Sequence, residues 1–186
     1  MRIIAGTKRG MSLLSLPGEE VTRPTTDRVK EALFGAIQFQ IYGSIVLDLF
    51  SGSGALGLEA VSRGAQRAFL VERDGKAAAI IRKNIQKAGF ADRVELMVCD
   101  YRQAIASLAA KGVQVDIALL DPPYQGGYYQ QALQCLRAEK VLAHGAIVVL
   151  EHLREQPIPP AEGYGFKKTK HYGKTSLTFL EREEIL

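Results

Sequence analysis

The chain has 186 residues, 47% of them hydrophobic and 24% charged, which is the composition of an ordinary soluble globular protein. Its formal net charge is +4, and no apolar run approaches the ~20 residues that cross a bilayer, so we expect no membrane span. Two cysteines without CxxC spacing and three scattered histidines predict neither a disulfide framework nor a metal site. The basic N-terminus lacks the apolar core of a signal peptide. We therefore expect a cytoplasmic protein, and we expect it to be a monomer.

Positive charge is concentrated near the two ends of the chain. Residues 1–30 hold six Lys or Arg against three acids. Residues 163–174 hold Lys167, Lys168, Lys170 and Lys174 against no acid. Such ends either contact a polyanion or are solvated surface, and charge alone favours neither interpretation.

In chain order, we expect residues 1–25 to form a basic N-terminal extension and residues 26–186 to form one compact domain. A lead-in helix with Thr26 as its N-cap is predicted first. Strands predicted at 44–50, 67–72, 93–99, 115–120 and 145–151 then alternate with helices that begin near residue 55 or span 74–89, 101–111 and 128–142. This alternation predicts a parallel sheet with helices on both faces. The C-terminal part instead predicts an antiparallel hairpin that turns at Tyr172-Gly173-Lys174.

A glycine-rich motif follows the first predicted strand. Gly52, Gly54 and Gly57 form GxGxxG before a helix, and Glu72 ends the next strand 20 residues beyond Gly52. Glycines let the backbone approach a ligand, and an acid at that strand end can accept hydrogen bonds from ribose hydroxyls. The motif fits NAD or S-adenosylmethionine, and it also fits a tight turn that uses glycine for packing.

Two further acids bear on the ligand. Asp48 lies at the end of the first strand, where it would repel a pyrophosphate but could accept an amino-acid ammonium or order the glycine loop. Asp100 ends the third strand, where it could accept a hydrogen bond from an adenine amino group or cap the next helix. Asp48 therefore favours S-adenosylmethionine over NAD.

The fourth strand ends in Asp121, Pro122, Pro123 and Tyr124. With strand order 3-2-1-4-5, this segment lies beside the first strand at the switch point where open α/β sheets bind ligands. The Asp121 carboxylate and the Pro122 carbonyl could accept the N–H groups of an exocyclic amine, while Tyr124 offers a ring for a base removed from its stack. The simpler interpretation is a strand end with a capping acid.

Several segments together resemble a known family. "RPTTDRVKEALF", "VLDLFSGSGALGLEAVSRGA", Glu72, "DPPY" and "YGKTSLTFL" resemble the RsmD family of bacterial 16S ribosomal RNA guanine-N2 methyltransferases, over essentially the whole chain. The resemblance implies S-adenosylmethionine as cofactor and a Rossmann-like class I methyltransferase fold with a seven-stranded, mostly parallel sheet of order 3-2-1-4-5-7-6. It implies transfer to N2 of one guanine in 16S rRNA, within an assembled or partly assembled small subunit.

The resemblance also implies roles for individual residues. Asp48, Gly52 and Gly54 would line the methionine end of the cofactor, Glu72 would hold the ribose and Asp100 would face the adenine. Phe50, Ser53 and Tyr101 would complete the cofactor site, and Asp121, Pro122, Pro123 and Tyr124 would hold the guanine. Lys8 and Arg9 would meet RNA phosphates, while Arg23 and Thr25 would close over the cofactor or touch RNA.

Three alternatives remain open at this level. A DNA or RNA adenine-N6 methyltransferase would also use DPPY. An NAD-dependent oxidoreductase would use the glycine motif and Glu72 but leaves DPPY without a role. A non-catalytic RNA-binding module would explain only the basic ends.

Overall fold

A seven-stranded sheet of order β3-β2-β1-β4-β5-β7-β6 forms the centre of the protein and confirms the predicted order. The computed structural model describes residues 1–16, 24–123 and 127–183. The strands are β1 Ile45–Asp48, β2 Arg67–Val71, β3 Val94–Met97, β4 Val115–Leu120, β5 Leu142–Leu153, β6 Tyr164–Tyr172 and β7 Thr175–Arg182. The helices are α1 Pro24–Ala36, α2 Gln38–Ile41, α3 Ala55–Ser62, α4 Gly75–Ala88, α5 Tyr101–Ala110 and α6 Tyr128–Ala138. None of the helices in these ranges is long and apolar enough to cross a membrane.

Alternate residues of the central strands enter two separate apolar cores, because successive side chains of a strand point to opposite faces. Val46, Leu119 and Val149 pack on the face covered by α1 to α4, which we call the α3 face. Leu47 and Leu120 pack on the face covered by α5 and α6. The central strands are therefore buried on both sides, as their β-branched composition predicts.

Parallel pairing brings the carboxyl ends of β1 to β5 to one edge of the sheet. We call it the carboxyl edge. The hairpin adds to this edge, since β7 pairs antiparallel with β5, with Leu153 opposite Thr175. The two-residue turn Gly173-Lys174 between β6 and β7 consequently lies beside the end of β5. The predicted hairpin and its turn are confirmed.

Three element boundaries differ from the sequence prediction by three or more residues. α1 begins at Pro24, so Thr26 lies in its first turn and is not the N-cap; proline suits the first helical position, where its missing N–H leaves no bond unmade. α6 ends at Ala138, four residues early, because Lys140 adopts a positive φ of 53°. The released Leu142 pairs with Val115, so β5 begins three residues before the predicted 145.

The first residues of the chain form a short hairpin against the α3 face. Ile3 and Met11 bond through their backbones, and Ile3 and Leu13 are buried in the core beneath. The buried Glu59 carboxylate accepts the backbone N–H groups of Ile4 and Ala5 at 2.8 and 3.0 Å. Residues 1–16 thus pack closely on the sheet's helices, while the predicted boundary at residue 25 stays a prediction.

Candidate functional site

A cavity of about 470 Å³ opens at the carboxyl edge between the ends of β1, β2, β3 and β4. Eleven of the sequence-predicted residues were expected at this edge and are described, and nine of them line the cavity: Phe50, Gly52, Ser53, Glu72, Asp100, Tyr101, Asp121, Pro122 and Pro123. The other two, Asp48 and Gly54, lie outside its lining. Four separate strand ends thus supply one concave surface, which is the usual place for a ligand in an open α/β sheet.

Glu72 joins two loops at the cavity wall. One carboxylate oxygen accepts the Gly52 N–H at 2.9 Å, and the other accepts the Asp74 N–H at 2.8 Å. Each oxygen can accept a second hydrogen bond, so the carboxylate can still bind hydroxyl groups of a ligand. The position and partial exposure of Glu72 fit a ribose-binding role.

Asp48 lies directly behind the glycine loop with only 1% of its surface exposed. Its Oδ2 accepts the Gly57 N–H at 3.0 Å, which orders the start of α3. Its Oδ1 is buried and has no hydrogen-bond partner in the described part of the chain. Burial raises the pKa of Asp48 from the usual 3.8 to about 7, with the Gly57 hydrogen bond opposing this shift and the nearby Asp121 and Glu72 charges adding to it. An unpaired buried oxygen is costly, so this atom is suited to a donor that arrives with a ligand.

The remaining two glycines of the motif serve packing. Gly54 adopts a left-handed φ of 81° at the N-terminus of α3, and a Cβ there would lie 3.0 Å from the Leu70 side chain. A Cβ on Gly57 would lie 2.4 Å from the same side chain. Close approach of α3 to β2 therefore needs both glycines.

An aromatic cluster forms one wall of the cavity. The Phe50 ring centroid lies 5.4 Å from that of Tyr101 and 5.9 Å from that of Tyr128. Asp100, beside them, caps α5 by accepting the Arg102 N–H at 3.0 Å, so the capping interpretation is confirmed. Because Asp100 also lines the cavity, a second role toward an adenine amino group stays a prediction.

Asp121 has an acidic neighbour that the sequence analysis did not single out. Leu120 pairs with Leu150, so Asp121 and Glu151 come next on adjacent strands. Asp48, Asp121 and Glu151 lie on the α3 face. Each follows by two residues a strand residue of that face's core, namely Val46, Leu119 and Val149. Burial raises the pKa of Asp121 and, together with the Asp121 charge, raises that of Glu151. The carboxyl edge therefore concentrates acidic side chains beside the proline pair.

Two of the predicted RNA contacts, Lys8 and Arg9, lie away from the cavity. Thr7 and Lys8 donate backbone N–H groups to the Ser62 carbonyl and hydroxyl at the C-terminal end of α3. Lys8 and Arg9 consequently lie ~10 Å along α3 from the glycine loop, near the opposite edge of the sheet. Arg23 and Tyr124 fall outside the described residues, and so does the side chain of Thr25.

Sequence reasoning missed three residues at this edge. Tyr128 joins the aromatic wall, and Met1 lines the cavity with its sulfur 3.6 Å from the Ser53 hydroxyl. Glu151 could have been found, since it is the last residue of the predicted strand 145–151, a position comparable to those of Glu72 and Asp100 on their predicted strands. No sequence signal points to Met1, because its position depends on how residues 1–16 fold back.

Comparison with known proteins agrees with this architecture. A family model described as "Conserved hypothetical protein 95" matches residues 1–181. Ribosomal RNA small subunit methyltransferase D of Escherichia coli K12 is 36% identical, with 98% of this chain and 90% of the relative covered. YlbH of Bacillus subtilis is 33% identical, covering 98% of this chain and 99% of its own length.

Solved structures share the fold along nearly the whole chain. The Escherichia coli protein yhhF superposes with a TM-score of 0.84 at 32% identity, covering 98% of both chains. More distant structures with 12% and 20% identity include methyltransferases with S-adenosylhomocysteine bound, and they show the fold alone. The fold is therefore that of S-adenosylmethionine-dependent methyltransferases. Together with the family model and the 36% identical relative, this shows that the chain belongs to the RsmD family, that of ribosomal RNA small subunit methyltransferase D.

Proposed function

We propose that this protein transfers a methyl group from S-adenosylmethionine to the exocyclic N2 amine of a guanine in 16S rRNA. Methylation of ribosomal RNA is what the name of the 36% identical relative states for that relative. The observation that carries the proposal is that six of the predicted cofactor residues and the Asp121-Pro122 pair line one cavity. A donor and an acceptor that occupy the same cavity can be held in contact, and such positioning supplies up to ~7–11 kcal/mol of the barrier reduction.

The residues at the carboxyl edge fit S-adenosylmethionine. Its ammonium would satisfy the unpaired Oδ1 of Asp48, and its ribose hydroxyls would bind Glu72. Its adenine would lie against Asp100 and the wall of Phe50, Tyr101 and Tyr128. When bound, the cofactor supplies an electrophilic methyl group on a sulfonium. A dinucleotide fits less well, because the Asp48 carboxylate adds negative charge beneath the loop that would hold its pyrophosphate.

Asp121 and Pro122 would orient the guanine amine. The lone pair of an exocyclic amine is delocalised into the ring, so the nitrogen attacks poorly unless its N–H groups are held by acceptors. The Asp121 carboxylate and the Pro122 carbonyl are such acceptors, and proline cannot contribute a competing backbone N–H. Tyr124 would stack on the base once it leaves its own stack, an interaction worth ~1–3 kcal/mol.

Methyl transfer also releases one proton from the amine. The new N–C bond replaces an N–H bond, and the proton passes to an acceptor near the nitrogen. Asp121 would accept this proton, because its half-buried carboxylate has a raised pKa and is a better base than an exposed aspartate. Glu151, next to it on β5, would share the same proton or pass it toward solvent.

The alternative function is N6-methylation of adenine, in RNA or DNA. Asp121 and Pro122 would hold an adenine amine by the same two hydrogen bonds, so the geometry of the pair favours neither base. Family membership favours guanine in rRNA. We further propose that the substrate is an assembled or partly assembled small subunit, met in the cytoplasm, and that the enzyme acts as a monomer.

The proposed function is tested by transfer of labelled methyl groups to small ribosomal subunits isolated without their RNA methylations. We expect wild-type protein to label the 16S rRNA of these subunits. The Asp121→Asn variant should lose ~10²–10³ in turnover, within the range that general-base catalysis contributes, because its amide can still accept an N–H but cannot take up the proton. It should bind S-adenosylhomocysteine as tightly as wild type.

The matched control is Asp116→Asn, at the opposite end of the same strand, where the side chain accepts the Ile45 N–H at 2.7 Å. This variant should keep wild-type turnover, because the amide oxygen can accept that bond and lies far from the cavity. Near-normal turnover of Asp121→Asn would contradict the role of Asp121 as proton acceptor. No labelling by the wild-type protein would contradict the proposed function itself.

A further inference from the structure

We infer that the lysine-rich turn of the β6–β7 hairpin binds the backbone of the single-stranded RNA segment that carries the target base. The inference rests on the proposed function and adds a phosphate-binding surface to it. The surface consists of Lys170 on β6, Lys174 in the turn and Arg154, which follows β5; we call it the basic rim.

The register of the strands places this rim beside the acceptor residues. Glu151 follows Leu150, the partner of Leu120, and pairs with Leu177, which pairs in turn with Lys170. Asp121, Glu151, Leu177 and Lys170 thus form one row across β4, β5, β7 and β6. With a strand spacing of ~4.8 Å, Lys170 lies ~14 Å from Asp121.

The row also lies on one face of the sheet. Directly opposite residues of paired strands share a face, and Leu177 belongs to the core of the α3 face, on which Asp121 and Glu151 also lie. Lys170 is therefore on that face, as is Lys168, whose ammonium lies 5.1 Å from the Phe179 ring centroid. The base-binding residues and the lysines would face the same strand of RNA.

Two of the lysines make no ion pair with any carboxylate of the described residues. Lys170 and Lys174 are exposed, and their ammonium groups have no carboxylate partner within the ranges that the structure describes. Lys167 differs, because it pairs with Glu181 at 2.5 Å. Arg154 is held beside the turn by its backbone N–H, which donates to the Lys174 carbonyl at 2.8 Å. Glu155 is the acid next to the rim in sequence, and three positive charges against one negative charge leave the rim net positive.

The spacing suits a nucleic acid strand. A stacked strand carries one phosphate for each ~3.4 Å of axis, so ~14 Å corresponds to on the order of four nucleotides. An amine methyltransferase needs its target base unpaired or extruded, which leaves a flanking single-stranded backbone to be held. Phosphate contacts fix register without reading sequence, and that is the task such a rim would perform.

The test measures binding of a short labelled single-stranded RNA by fluorescence anisotropy over a series of KCl concentrations. The slope of log affinity against log salt is negative. For Lys170→Ala/Lys174→Ala we expect it to become shallower by ~1.4, or ~0.7 for each lost phosphate contact. The matched control, Arg82→Ala/Lys83→Ala, removes the same charge from exposed positions of α4, which covers the β3 side of the sheet. Its slope should equal that of wild type.

An unchanged slope for Lys170→Ala/Lys174→Ala, an equal loss in the α4 control, or no RNA binding by wild type would overturn the inference. The labelled methyl transfer described above is run in parallel on the same preparations. If wild type methylates the subunits but Lys170→Ala/Lys174→Ala leaves the salt slope unchanged, only the basic rim is refuted. If wild type does not methylate them, the proposed function is refuted instead. Affinity for S-adenosylhomocysteine should stay the same in all variants.

Discussion

Asp48 is the residue whose environment departs most from that of an ordinary aspartate. Its carboxyl group is buried, bonded through one oxygen and unpaired through the other. Without a ligand, the folded protein holds a proton on this group up to about pH 7, while the unfolded chain releases it near the usual pKa of 3.8. The folded state therefore binds more protons between these values, so the unfolding free energy falls as pH rises through this window.

The Asp48→Asn variant should lose this part of the pH dependence. Its amide oxygen can still accept the Gly57 N–H, but no ionisation cost arises at high pH. Between pH 4 and pH 8, we expect the unfolding free energy of wild type to fall by up to about 4 kcal/mol more than that of the variant, as measured by urea denaturation. Parallel curves for the two proteins would show that Asp48 does not titrate in this range.

Gly57 tests the packing of α3 on β2. In Gly57→Ala the added methyl group would lie 2.4 Å from the buried Leu70 side chain, so one of them must shift. We expect a loss of ~1–3 kcal/mol in unfolding free energy, measured by urea denaturation. The control is Gly35→Ala in α1, where no atom lies within 4 Å of the new methyl group. The control should keep or slightly raise stability, and equal losses in both variants would contradict the packing explanation.

At the scale of elements, the N-terminal hairpin depends on one buried acid. The Glu59 carboxylate lies 3.2 Å from the Lys30 ammonium and 2.7 Å from Arg63 Nε, besides accepting two amides of the hairpin. Lys30 is itself buried and donates to the Arg2 carbonyl. Burial lowers the pKa of Lys30, and the Glu59 charge opposes that shift. α1, α3 and the hairpin therefore meet at Glu59.

Replacing Glu59 with Gln should leave the Lys30 charge buried without its counter-charge. Breaking a buried pair in this way costs ~3–5 kcal/mol, which thermal or urea unfolding can measure. The control is Glu95→Gln, which removes exposed ion pairs to Arg67 and Lys111 and should cost at most ~1 kcal/mol. A loss at Glu59 no larger than at Glu95 would mean that the hairpin is held by its apolar residues alone.

These elements also show what sequence could predict. The helical spacing of Ile81, Ile85 and Ala88, with Asp74 before and Gly89 after, defines α4 almost to the residue, because periodicity and both caps agree. The N-terminal hairpin was not predicted, since an acid within a helix such as Glu59 is usually solvated and nothing local indicates its burial. The end of α6 was missed for a related reason, because the left-handed Lys140 carries no sequence signal.

At the scale of the molecule, the sheet converts a linear pattern into a site. Acids that lie 49 residues apart in the chain, at 72 and 121, line the same cavity because parallel strands end at one edge. The predicted strand order was enough to place these two acids at the same edge. The positions of the basic residues could not be predicted in the same way, because the two basic ends of the chain lie at opposite edges of the sheet. Lys8 and Arg9 lie at the far end of α3, whereas Lys170 and Lys174 lie beside the carboxyl edge.

The identity of the methylated nucleoside tests the central proposal most directly. Small subunits lacking their RNA methylations are incubated with the protein and S-adenosylmethionine, and the 16S rRNA is digested to nucleosides for mass spectrometry against authentic standards. We predict N2-methylguanosine, formed by wild type and reduced ~10²–10³-fold with Asp121→Asn. N6-methyladenosine, or no methylated nucleoside beyond the untreated control, would contradict guanine-N2 methylation of 16S rRNA by this protein.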